Sequence, residues 1–167
     1  MNIKKMVLTG LLMAFAILIP LAMGIKIVIP PFFSATLASH VPVMLSMFLG
    51  PFSAIAVAAG SAVGFLITLG PIVGARAFMH VGVSLIGAYM IKKGFSFWPM
   101  MLILAPIHGA LESLVVLPFG FDFYKAFVVV GIGTILHHLM DAGITRVILP
   151  VMRFASNDFS KTFKKAI

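Results

Sequence analysis

Long apolar runs, each closed by a proline, a glycine or a charge, follow one another along the whole chain. The run at residues 6–23 follows Lys4-Lys5 and is close to the ~20 residues that an α-helix needs to cross a bilayer. It is longer than the roughly 7 to 15 residues of a secretory h-region and lacks a clear small-x-small cleavage site, so an uncleaved first helix is expected. Residues 24–39, with Lys26, Pro30 and Pro31, read as a long irregular connection. Residues 40–49 form a short apolar segment, too short to span unless the preceding loop dips in or the helix tilts. Gly50-Pro51 separates it from residues 52–69, rich in alanine and glycine, and Gly70-Pro71 breaks the chain again. A fourth segment covers residues 72–91 and ends at Lys92-Lys93-Gly94, a fifth covers 97–117, and a loop at 118–124 contains Asp122. The sixth runs over 125–149, before Pro150 and a polar, basic tail. The expected fold is an all-α integral membrane protein, a bundle of six transmembrane helices forming a single membrane domain over residues 1–167.

Charge orients the bundle. With six crossings, Lys4, Lys5, Lys92, Lys93, Arg153, Lys161, Lys164 and Lys165 fall on one side, and Lys26 and Lys125 on the other. Such a bias predicts that both termini are cytoplasmic. Composition supports a chain made for lipid: 62% apolar and 10% charged, against roughly 45 to 50% and about 25% in globular domains, with a mean hydropathy of +1.19. The formal charge of +8 does not indicate nucleic acid, because the basic residues lie between apolar runs and not together on one face. With no cysteine, disulfides, iron–sulfur clusters, c-type haem attachment and thiolate zinc sites are all excluded. No Walker-type glycine loop is present, so an energy source has to come from another subunit or an ion gradient.

Ionisable side chains inside spans are costly and by default functional. Those singled out are Arg76 and His80 in the fourth segment, His108 and Glu112 in the fifth, and His137, His138 and Asp141 in the sixth. Counted from the outer ends at about 1.5 Å per residue, Arg76 and Glu112 both lie about 7.5 Å deep, and His80 and His108 about 13.5 Å. Each pair has i, i+4 spacing and shares a helical face. Two matched faces on adjacent helices predict a polar pocket in the outer half of the membrane. Either Arg76 and Glu112 simply neutralise one another there, or the guanidinium clamps an anionic ligand in two parallel hydrogen bonds. His137 and His138, about 18 to 20 Å below Lys125, are expected to lie too deep for that pocket unless the sixth helix starts later. Asp141, four residues after His137, is placed to orient it. No cofactor or metal is expected; haem between His80 and His108 is an alternative without motif support. No serine elbow or His-Glu-x-x-His occurs, so binding is expected and not enzymatic chemistry. Small residues four apart, Gly10 with Ala14 and the series Ala54, Ala58, Ala62, suit close helix contact, either internal or with another membrane subunit.

The run Ser39-His40-Val41-Pro42-Val43-Met44, followed by Met47-Phe48-Leu49-Gly50-Pro51, resembles a stretch common in the substrate-binding S-components of energy-coupling factor (ECF) vitamin transporters of the pantothenate and niacin type. Leu117-Pro118-Phe119-Gly120 and the segment from Arg76 to His80 fit the same subset. The resemblance covers the whole chain and implies a cell-membrane, multi-pass, high-affinity binder for a small B-vitamin. Pantothenate or nicotinate is the implied ligand, and a neutral pyrimidine or pyridoxine-type vitamin the alternative. It further implies a partner module of two ATPases and a T-component. In that family an Ala-x3-Ala motif of helix one docks on the T-component; here Gly10 replaces the first alanine and Ala14 matches the second. The resemblance also implies a pocket in the outer halves of helices four to six, closed by the first outer loop, which coincides with Arg76, His80, His108 and Glu112. Arg76 would grip a carboxylate, the histidines would bond the remaining polar atoms, and residues 29–39 would close over them. Met1-Asn2 departs from the Met-His start of nickel and cobalt members.

Overall fold

The computed structural model describes residues 3–22, 26–29 and 33–155. Met23, Gly24, Pro30 and Pro31 of the first connection, and the tail lysines 161, 164 and 165, lie outside the described residues, as does the side chain of Arg153. The helices are α1 (Ile3–Ala22), α2 (Val41–Met47), α3 (Pro51–Leu69), α4 (Pro71–Phe78), α5 (His80–Lys92), α6 (Phe97–Val116) and α7 (Gly133–Ala155). A hairpin of β1 (Lys26–Ile29) and β2 (Phe33–Thr36) follows α1, with Lys26 opposite Thr36 and Ile29 opposite Phe33. Between α6 and α7 come a 3-10 turn, Leu117–Phe119, and a π-helical segment, Tyr124–Ile132.

The sequence breaks act through backbone geometry. Gly70 adopts φ 83° and Pro71 opens α4 with its ring already set for the first helical turn. Gly94 (φ 88°) closes α5 in a Schellman arrangement, its N–H bonded to Ile91 and that of Phe95 to Met90. The fourth expected helix is interrupted at Met79, whose N–H turns back to the Arg76 carbonyl at 3.0 Å. That tight turn separates α4 from α5 without a proline.

Among the described residues, five helical stretches are long and apolar enough to cross a membrane: Ile3–Ala22, Pro51–Leu69, Pro71–Lys92, Phe97–Phe119 and Tyr124–Val151. The segment expected as the second helix differs. α2 has seven residues, about 10.5 Å of helix, and every residue from Val41 to Leu49 is buried. It is a central plug and not a lipid-facing rod. Thr9 of α1 meets Ser53 of α3 at 2.8 Å, and farther along Ile17 lies against Gly64. The two helices therefore run parallel, and the chain returns from the far end of α1 to the start of α3 through the hairpin and α2.

Polarity is inverted relative to a soluble fold. Ile67, Phe123 and Val147 stand exposed, whereas Arg76, Glu112, Asp141 and all five histidines are buried. In hydrocarbon such a surface needs no polar cover. Ala54, Ala58 and Ala62 are buried and serve internal packing, while Gly10 and Ala14 lie on the outward face of α1.

Candidate functional site

Four helices and one turn deliver polar side chains to one buried layer. α4 and α5 bring Arg76 and His80 across the Met79 turn, and α6 brings His108 and Glu112 just after Pro106. α7 contributes Thr134, His137, His138 and Asp141, and the turn after β2 contributes His40. Gly109 and Gly131 let α6 and the π-helical segment meet at backbone distance: a Cβ on Gly109 would lie 2.7 Å from the Gly131 carbonyl oxygen. That closeness sets Glu112 beside Thr134.

Glu112 is the centre of one half. Its Oε2 accepts from Arg76 Nε at 2.8 Å and from the Thr134 hydroxyl at 2.7 Å, and Arg76 Nη2 also lies 2.8 Å away. Its Oε1 faces His108 Nε2 at 3.2 Å and His80 Nε2 at 3.7 Å. A buried carboxylate without such partners would be strongly disfavoured. Arg76 packs over the Phe33 ring, 4.9 Å from its centroid, and Nη1 donates to the Ser34 carbonyl at 3.4 Å. The hairpin therefore sits directly on the guanidinium.

Asp141 is the centre of the other half. Its Oδ1 accepts from the Ala38 N–H at 2.8 Å and its Oδ2 from the His40 N–H at 2.9 Å. Ala38 has φ 67°, a left-handed conformation that costs a non-glycine residue roughly 1 kcal/mol or more, and the carboxylate holds the chain in it. His40 Nδ1 lies 3.0 Å from Oδ2, off the angle of a formed hydrogen bond, and His137 Nε2 lies 3.2 Å from the same oxygen.

Imidazoles join the halves. His40 Nε2 is 3.1 Å from His80 Nε2, and His108 Nδ1 is 3.0 Å from His138 Nδ1. The His40 ring lies 4.4 Å from that of His137 and 4.9 Å from that of His108, centre to centre. Every histidine of the chain belongs to this cluster. Between the hairpin and the cluster, bounded by Ser34, Thr36, His40, Arg76, His80, Glu112 and His137, is a cavity of about 20 Å³, room for about one water molecule.

The structure brings Arg76, His80, His108 and Glu112 together around the Glu112 carboxylate. It corrects the placement of His137 and His138, which join this layer and do not lie beneath it. The reason is the π-helical stretch, whose i→i+5 bonds place more residues in each turn and advance the chain less per residue than an α-helix does. His40 escapes the helical reading because it stands one residue before α2, where no periodicity marks a face. Its signal was the histidine count: five in a chain with 10% charged residues, none of them in a terminal segment.

Five helices apolar enough to cross a membrane, with buried polar side chains gathered in one layer between them, are the architecture of a multi-pass membrane protein. The niacin transporter NiaX of Lactococcus lactis subsp. cremoris (strain MG1363) is 35% identical over 157 aligned residues, which cover 84% of this chain and 70% of that protein. The chain belongs to this family of S-component-type vitamin transporters. No family model matches it, and no solved structure does.

Proposed function

We propose that this protein is the high-affinity substrate-binding subunit of an ATP-driven ECF-type importer and that its ligand is nicotinate. The observation that carries the reading is the state of Arg76. Its Nε and Nη2 edge is held by Glu112, while its Nη1 side meets only a long contact to Ser34. A ligand carboxylate taking the Nη1/Nη2 edge would form the parallel pair of charge-assisted hydrogen bonds that guanidinium geometry favours. A pyridine ring suits the aromatic surroundings of Phe33 and the histidines, and its nitrogen accepts from an imidazole N–H. The related niacin transporter supports the same ligand and favours it over pantothenate. The cavity is far below the roughly 300 Å³ or more of a small-molecule site, so entry requires the hairpin to lift from Arg76.

The Arg76–Glu112 pair also favours a second reading, a neutral ligand beside an already compensated charge. Residues 33–50 make the sixth crossing in this proposal, and both termini are cytoplasmic, with Arg146 adding to the inner positive charge. Gly10 and Ala14 face the T-component, which works with two ATPases. Mass spectrometry of the small molecule carried through purification tests the reading: nicotinate is expected, and pantothenate or a neutral vitamin would overturn it.

A further inference from the structure

Glu112 divides its two oxygens: Oε2 takes Arg76 and Thr134, and Oε1 turns to imidazole nitrogens. One donor atom each from His40, His80, His108 and Glu112 lies within 4.8 Å of the other three. Three of the six separations, 3.1 Å (His40 to His80), 3.2 Å (His108 to Glu112) and 3.7 Å (His80 to Glu112), lie close to the roughly 3.3 Å edge of a tetrahedron with zinc–ligand bonds of about 2.0 to 2.1 Å, and the other three are within 4.8 Å. His108 Nε2 is fully buried, aimed into this space, and, although 3.2 Å from Glu112 Oε1, makes no hydrogen bond of good geometry among the described residues. All three rings turn Nε2 inward and Nδ1 toward a supporting group: Asp141 behind His40 at 3.0 Å, His138 behind His108 at 3.0 Å and Ser61 behind His80 at 3.5 Å. Metal-binding histidines are oriented in this way by an outer set of partners.

We propose that His40, His80, His108 and Glu112 hold one divalent transition-metal ion of the zinc class, and that the ion offsets negative charge beside a bound carboxylate. The first half stands independently; the second rests on the nicotinate reading. Three imidazoles and one carboxylate suit zinc, cobalt or nickel better than magnesium or calcium, which take oxygen ligands. Charge gives the ion a role. Arg76 against Glu112 and Asp141 leaves one negative charge in the layer, a bound carboxylate makes two, and a divalent cation cancels both. Protonating two imidazoles would do the same only by crowding like charges in rings about 5 Å apart.

Tag-free protein is stripped with a chelator, returned to chelator-free detergent, and titrated with CoCl2 and then ZnCl2. The expected result is one Co2+ per chain, with the intense visible bands of four-coordinate cobalt that Zn2+ abolishes. Nicotinate affinity measured in parallel should fall roughly tenfold or more on stripping and return with Zn2+. The His80→Gln/His108→Gln double variant should lose the bands while eluting as a monodisperse species; if it does not fold, His40→Gln/His80→Gln, which likewise removes two of the four ligands, replaces it with the same expectation. No bands in the wild type, or bands that survive in the folded variant, overturn the site. Cobalt binding with no nicotinate binding in either form supports the site and overturns the nicotinate reading. Nicotinate bound equally well with and without metal overturns the charge-offset role.

Discussion

A guanidinium has two edges that can each take a carboxylate, and Arg76 commits one of them to Glu112. Removing it altogether would leave Glu112 as an unpaired buried charge, a loss of about 3 to 5 kcal/mol that confounds binding with folding. Arg76→Lys keeps the charge and loses the fork. We expect it to remain folded and to weaken nicotinate by roughly tenfold or more, the value of one charge-assisted hydrogen bond; equilibrium titration with an unchanged dissociation constant would remove Arg76 from the site. Thr134 is a separate test of the Glu112 network. Thr134→Val keeps the side-chain shape but deletes the 2.7 Å hydrogen bond to Oε2, so thermal unfolding should show a loss of about 1.5 to 3 kcal/mol. At this scale the sequence was informative where helical spacing applied: Arg76 with His80 and His108 with Glu112 could be matched by depth. Asp141 could be paired with His137 by the same spacing, but its hold on Ala38 and His40 could not be foreseen. Those contacts depend on a turn with a left-handed alanine, and no pattern in the chain announces it.

Elements set these side chains through close backbone approach. α6 and the π-helical segment meet across Gly109 and Gly131, where an added methyl group meets backbone that cannot swing away. Gly109→Ala should force the helices apart, at a cost of about 1 to 3 kcal/mol, and weaken vitamin binding as His108 leaves His138 and Glu112 leaves Thr134. Thermal unfolding and titration on the same preparation check both. Gly10 is the opposite case, since nothing lies within 4 Å of a Cβ built there and the face is exposed. Gly10→Leu/Ala14→Leu should therefore leave nicotinate affinity nearly unchanged and abolish uptake in cells, because bulk on that face holds a partner helix away. Uptake at the normal rate would show that docking uses another surface. Proline, glycine and lysine punctuation made five long helices legible. The return of the chain between α1 and α3 was legible only as a segment too short to span, because a strand, a turn and a buried two-turn helix share the work.

For the whole molecule, parallel packing of α1 and α3 and the bias of lysines and arginines together give the orientation proposed. The absence of cysteine makes that directly testable. A single cysteine in place of Lys93 should react with an impermeant thiol reagent only after the membrane is opened, and one in place of Lys125 should react in intact cells; the reverse pattern would invert the topology. In the proposed orientation, the hairpin and the Arg76 layer lie on the outer side. Selection of a small carboxylate by this layer can be measured by calorimetric titration of the purified wild-type protein with nicotinate and with its neutral amide. Nicotinate is expected to bind at least roughly tenfold more tightly, the difference of about 1.4 kcal/mol or more that a lost charge-assisted contact implies. Equal affinity for the two, or preference for the amide, would contradict that selection.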